Sequence, residues 1–111
     1  MTLAPALLKE AEVLARALRD VGREERDVIA AGQLDALEPF GARRGEILAR
    51  LAEILPPGEL APGPVRSLLE EAQEEARQSL VMLCALREEI GRALAEDERK
   101  GHAAAAYARM S

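Results

Sequence analysis

The sequence predicts an all-α fold, either an elongated antiparallel helical hairpin or a three-helix coiled-coil-like bundle, with a weakly ordered C-terminal segment. Three observations predict it. Ala, Leu, Glu and Arg dominate the 111 residues, Trp is absent, and the aromatics are only Phe40 and Tyr107, a composition typical of long helices. Apolar residues recur at alternating steps of three and four along two long stretches, the spacing of a helix that packs along one stripe. Pro and Gly concentrate in residues 32–45 and 56–64, where they punctuate the helices. A chain of this length forms a single domain, burying roughly 60–70% of its unfolded surface.

The first helix is expected over about residues 3–31. Leu7, Ala11, Leu14, Leu18, Val21, Glu25 and Val28 form a heptad seam interrupted only by Glu25. Leu3, Leu8 and Ile29 widen it to the face that a bundle helix needs. Pro5 fits only a first turn, where a missing N–H is harmless. Glu12 and Arg16 have the favourable i,i+4 order for a surface ion pair.

Gly32 stops or bends this helix, and a second is expected over about 35–55. Asp35 followed by Glu38 has the form of a capping box, with Pro39 just inside the first turn. Phe40, Ile47 and Ile54 repeat by sevens beside Leu37, Leu48, Leu51 and Leu55. Gly41 and Gly45, four apart on one face, each weaken the helix by about 1 kcal/mol relative to Ala. Either a close helix–helix approach offsets that loss or the fold tolerates it.

"PPGELAPGP", residues 56–64, reads as a loop. A third helix opens at Pro64 or Val65 and runs to about residue 96. Its seam is Leu69, Ala72, Ala76, Ser79, Leu83, Leu86, Ile90 and Ala93, flanked by Leu68, Leu80, Val81 and Leu94. The acidic run "EEAQEE" (70–75) falls early in it, where negative charge suits the helix dipole, and reads as a solvated face. Residues 97–111, "DERKGHAAAAYARMS", combine charge, a glycine and an Ala-rich end. Alanines bury little surface and short isolated helices are marginal in water, so a flexible tail is expected.

These features narrow the function classes. Twenty acidic against fifteen basic residues, mixed along the chain, give a formal charge of −5, and no concentrated basic surface for nucleic acid emerges. His102 is the sole histidine, so there is no His-pair metal site, and it sits beside Gly101 near a weak end, unlike a phosphotransfer histidine. Cys84, within "VMLCAL", reads as a buried, inert thiol. A single cysteine forms no internal disulfide, no run approaches the ~20 apolar residues of a membrane span, and no signal peptide is expected, since the first residues lack a basic start followed by an unbroken apolar stretch. The expectation is a cytoplasmic binding protein, with no enzymatic activity, cofactor or metal.

One stretch carries a family resemblance. "EERDVIAAGQLDALEPFGARRGEILARLAEI" (24–54) resembles flagellar export chaperones of the FlgN type, which escort hook–filament junction proteins. The shared pattern is a long helix, a "G-x-L-x-x-L" step (Gly32, Leu34, Leu37), and Arg43/Arg44 ahead of Ile47-Leu48-Ala49-Arg50-Leu51. The Pro/Gly loop, the long acidic third helix and Tyr107 near the end also fit the layout. Tyr107 is followed by Ala108 and Arg109 where the family often has glycine, and Pro39, Gly41 and Gly45 replace strong helix formers.

The resemblance implies a cytosolic escort that binds C-terminal helices of hook-associated proteins and passes them to an export-gate component without nucleotide. The related chaperone of the filament-cap protein is built alike. On this reading Leu86, Ile90 and Leu94, with the tail, hold the client helix, and Tyr107 and Met110 belong to the same client- or gate-binding end. The alternative for Leu86, Ile90 and Leu94 is core packing against the first helix, and for Tyr107 a frayed surface position. A structural coiled-coil protein that self-associates, as a homodimer through leftover apolar surface, is the reading from a different class.

Overall fold

The computed structural model describes residues 3–56, 61 and 63–110. The described residues form three α-helices and no strand: α1 (Pro5–Ala30), α2 (Glu38–Ile54) and α3 (Gly63–Met110), with a single 3-10 turn, Leu34–Ala36, between the first two. The molecule measures 81 × 23 × 19 Å and its radius of gyration is 21.8 Å, against about 13 Å for a compact domain of this length.

Pro5 lies in the first turn of α1, as its missing N–H requires. The helix ends in a Schellman motif. Gly32 takes φ 75°, its N–H donates to the Ile29 carbonyl, and the Gln33 N–H donates to that of Val28. Glycine is there because a left-handed residue must follow the C-cap. The expected capping box does not form: Asp35 lies within the 3-10 turn, and no side chain caps α2 at Leu37. Pro39 still falls in the first turn of α2. Of the expected 56–64 loop, residues 57–60 and 62 lie outside the described residues, and α3 opens at Gly63.

Side-chain hydrogen bonds and ion pairs give the helix directions. Between α1 and α3, Arg19 bonds Glu71, Arg23 bonds Glu75 and Arg26 bonds Gln78, always 52 residues apart, so these helices run parallel. Between α1 and α2, Glu24–Arg43 and Glu25–Arg44 are 19 apart while Glu10–Arg50 are 40 apart. That lengthening separation is the mark of an antiparallel pair. The hairpin is therefore α1–α2, and the two long helices run side by side because α2 has already reversed the chain.

Ala11, Ala15, Leu51, Ile54, Val65 and Leu68 form the shared core, with Leu8, Leu14, Leu18, Ile47 and Leu69 packed around it. The buried stripes sit slightly off the expected seams. On α1 the fully covered positions are Ala11, Ala15, Val21, Gly22 and Ile29, while Leu7 is exposed. On α3 they are Val65, Leu68, Ala72 and Ser79. Helix α1 serves two neighbours, so small residues occupy the line of closest approach and leucines flank it. Gly22 shows this most sharply: a Cβ there would lie 2.9 Å from the Glu75 Cβ. Gly41 and Gly45, the glycines that raised the question of close approach, have open space around them.

Residues 97–110, expected as a flexible tail, form the continuing end of α3, whose alanines carry the highest helix propensity. Ser111 lies outside the described residues. Cys84 is exposed, not buried, because α3 has by then passed the end of α1.

Candidate functional site

With a fixed offset of 52 residues, Ala30 at the end of α1 stands level with Met82 of α3. Everything beyond projects from the bundle. At 1.5 Å per residue α3 is about 72 Å long, and the part past Met82 accounts for about 42 Å of it. Residues 87–110 are all exposed. A lone helix of this length, carrying large apolar side chains, is the most prominent surface of the molecule.

The five residues singled out from the sequence all fall on this overhang. Leu86 is half-buried where the bundle ends. Ile90 and Leu94 are 46% and 62% exposed, so they do not pack against α1. Tyr107 and Met110 are 78% and 87% exposed near the tip. The structure strings these side chains along one helix without gathering them into a pocket; Tyr107 and Met110 lie away from the face shared by Ile90 and Leu94, given about 100° of turn per residue.

The seam read from the sequence of α3 merges two lines that the structure separates: Leu69, Ala76, Leu83 and Ile90, placed on that seam, and Leu80 and Leu94, placed beside it, lie on a line of their own. Leu69, Gln73, Ala76, Leu80, Leu83, Arg87, Ile90, Leu94 and Asp97 alternate steps of four and three, beside the core-facing line of Val65, Leu68, Ala72, Ser79 and Leu86. It begins in a groove of about 310 Å³ lined by Leu18 and Gly22 of α1, Arg44 and Leu48 of α2, and Leu69, Ala72, Gln73 and Ala76 of α3. It then runs up the overhang through Leu80, 61% exposed, to Ile90 and Leu94. The signal that could have found it was present, since a helix with two apolar seams has two neighbours; only the bundle shows which seam the core uses.

The electrostatics around the groove are those of a scaffold. Glu25, the interruption in the α1 seam, accepts a hydrogen bond from Arg44 at 2.7 Å, which satisfies a polar group placed between helices. Glu71 and Glu75 of the acidic run bind the α1 arginines, so that run is partly an inter-helix clasp and not simply a solvated face. Glu12 and Arg16, by contrast, form no ion pair among the described residues. The exposed Glu74 is held down at about 2 by hydrogen bonds from Arg77 and then Gln78. Arg50, bonded to Glu10 and Glu53, is pushed up, and the Glu10 carboxyl is lowered in turn.

Among the described residues no three His, Cys, Asp or Glu side chains cluster as a metal site would require. No helix among them is long and apolar enough to cross a membrane. Searches of protein-family models, of curated proteins and of solved structures found no match to this chain.

Proposed function

We propose that this chain is an escort for helices of other proteins, and specifically a cytoplasmic flagellar export chaperone for hook-associated proteins. The observation that carries the reading is the overhang: about 42 Å of amphipathic helix leaves the bundle, with Ile90 and Leu94 exposed and no neighbour among the described residues. Apolar residues at i and i+4 on an open helix are the anchors that a second amphipathic helix buries when it docks. Leu86 begins the client seat at the bundle edge, Ile90 and Leu94 form its middle, and Tyr107 and Met110 engage the client's end or an export-gate component.

The flagellar part of the proposal rests on the resemblance of residues 24–54 and on the layout of long helix, short second helix and long acidic third helix. Chemistry enters nowhere: affinity comes from apolar burial and helix complementarity. It stays moderate because the client must order its own helix on binding.

The test is capture of a purified C-terminal segment of a hook–filament junction protein by the full chain and by a chain ending at Ala85, which lacks Leu86, Ile90, Leu94, Tyr107 and Met110. The shortened chain keeps every residue of the bundle. It should retain its helical circular dichroism per residue and lose most client binding. Equal binding by both chains, or no binding by the full chain, would reject the escort reading.

A further inference from the structure

We propose that the second seam of α3 pairs with the same seam of a second copy of this chain, giving an antiparallel homodimer about a twofold axis level with Arg92. The observation is a self-complementary order of residues. Read as a heptad, the exposed seam runs Leu80, Leu83, Arg87, Ile90, Leu94, Asp97, Gly101, Ala104. In an antiparallel pair centred on residue 92, Ile90 of each copy meets Leu94 of the other. Arg87 meets Asp97, Leu83 meets Gly101, and Leu80 meets Ala104.

Each bulky residue from the bundle side thus faces a small one from the tip, and the only two charges on the seam neutralise each other. Neither Arg87 nor Asp97 makes an ion pair among the described residues. The pairing is selective. Polar residues within a coiled-coil seam set register and orientation, because any other alignment leaves them covered without a partner. A parallel in-register dimer would set Arg87 against Arg87 and Asp97 against Asp97.

A shift of one heptad along the antiparallel axis would set Arg87 against Ile90 or Ala104. The paired stretch, Leu80 to Ala104, is about 36 Å long, and beyond it the tip of one α3 reaches Ala76 at the mouth of the other copy's groove. Small residues at the tip suit that close approach, as they do wherever helix backbones come near each other. This occupies the face that the escort reading gives to a client helix, so a client would compete with the second copy. The dimer itself is independent of that reading, because no client enters its measurement.

The experiment is sedimentation equilibrium on the full-length chain, with circular dichroism to confirm the fold. The expected mass is twice 12.0 kDa. Arg87→Asp alone and Asp97→Arg alone each place like charges in both polar layers and should weaken association at least about tenfold. The double variant Arg87→Asp/Asp97→Arg should restore it. A spin label on His102→Cys, in a Cys84→Ser background, should lie about 30 Å along the axis from its copy. A monomer at every concentration, a dimer indifferent to the charge swaps, or labels about 10 Å apart as in a parallel pair, would overturn the proposal.

Discussion

Replacing glycine by alanine should have different consequences at Gly22 and at Gly41 or Gly45, and the difference can be worked from the packing. Inside a helix the change gains about 1 kcal/mol through backbone entropy and propensity. At Gly41 and Gly45 a Cβ meets nothing within 4 Å, so that gain should be expressed nearly in full. At Gly22 the new Cβ stands 2.9 Å from the Cβ of Glu75, roughly 0.6–1 Å inside the optimal carbon–carbon separation.

A Cβ has no rotamer with which to move aside, so relief requires α1 and α3 to separate. Glu75 is held to α1 by Arg23 and Arg26, with Ala72 and Ser79 buried on either side. Overpacking of this kind costs about 1–3 kcal/mol. Net of propensity, Gly22→Ala should leave stability unchanged or lower it by up to about 2 kcal/mol, while Gly41→Ala and Gly45→Ala each stabilise by about 0.5–1 kcal/mol.

Urea unfolding followed at 222 nm reads all three on one scale, as a midpoint shift at unchanged slope. If Gly22→Ala shifts the midpoint upward by as much as Gly41→Ala does, the close contact of α1 with α3 at Gly22 is wrong.

Two further outcomes are expected. Ser79 is buried with a hydroxyl that finds no hydrogen-bond partner, so Ser79→Ala should raise stability by about 1 kcal/mol; a loss in the same urea titration would mean that the hydroxyl is satisfied. Glu74, held at about 2 by Arg77 and Gln78, has a native carboxyl more acidic than its unfolded one. Its small contribution to stability is therefore complete above the unfolded value and disappears as pH falls towards 2. A carboxyl carbon titration by NMR should place its midpoint below those of the other glutamates, and Arg77→Gln should move it back towards 4.5; an unmoved midpoint would remove the pair.

Much of the fold was readable because helix formation is local. Pro5 and Pro39 mark helix starts through their fixed φ and Gly32 marks an end through its freedom to take positive φ, and the Leu37, Phe40, Ile47, Leu51 and Ile54 pattern announces α2 without reference to anything else. The Asp35/Glu38 box misled because Asp35 lies inside a 3-10 turn and not at the cap position of α2, which Leu37 occupies. Cys84 misled because apolar sequence neighbours predict burial only where another helix is level with them. Along α3 the same periodicity continues past the point where α1 ends, so no local pattern distinguishes Leu68, covered, from Leu94, open.

What the amino-acid order determined by itself is therefore the list of helices, their punctuation, and an α3 with more apolar surface than one neighbour could cover. Tertiary structure alone decided that α3 returns parallel to α1, which glycine marks the close approach, and where the bundle stops. The physical reason is that propensity and periodicity act within a few turns, whereas direction and offset depend on which distant residues pack together, as Ala11 and Ala15 do with Val65 and Leu68, and are read out by pairs such as Arg19–Glu71 and Arg23–Glu75, 52 residues apart. That offset leaves half of α3 standing clear of the bundle.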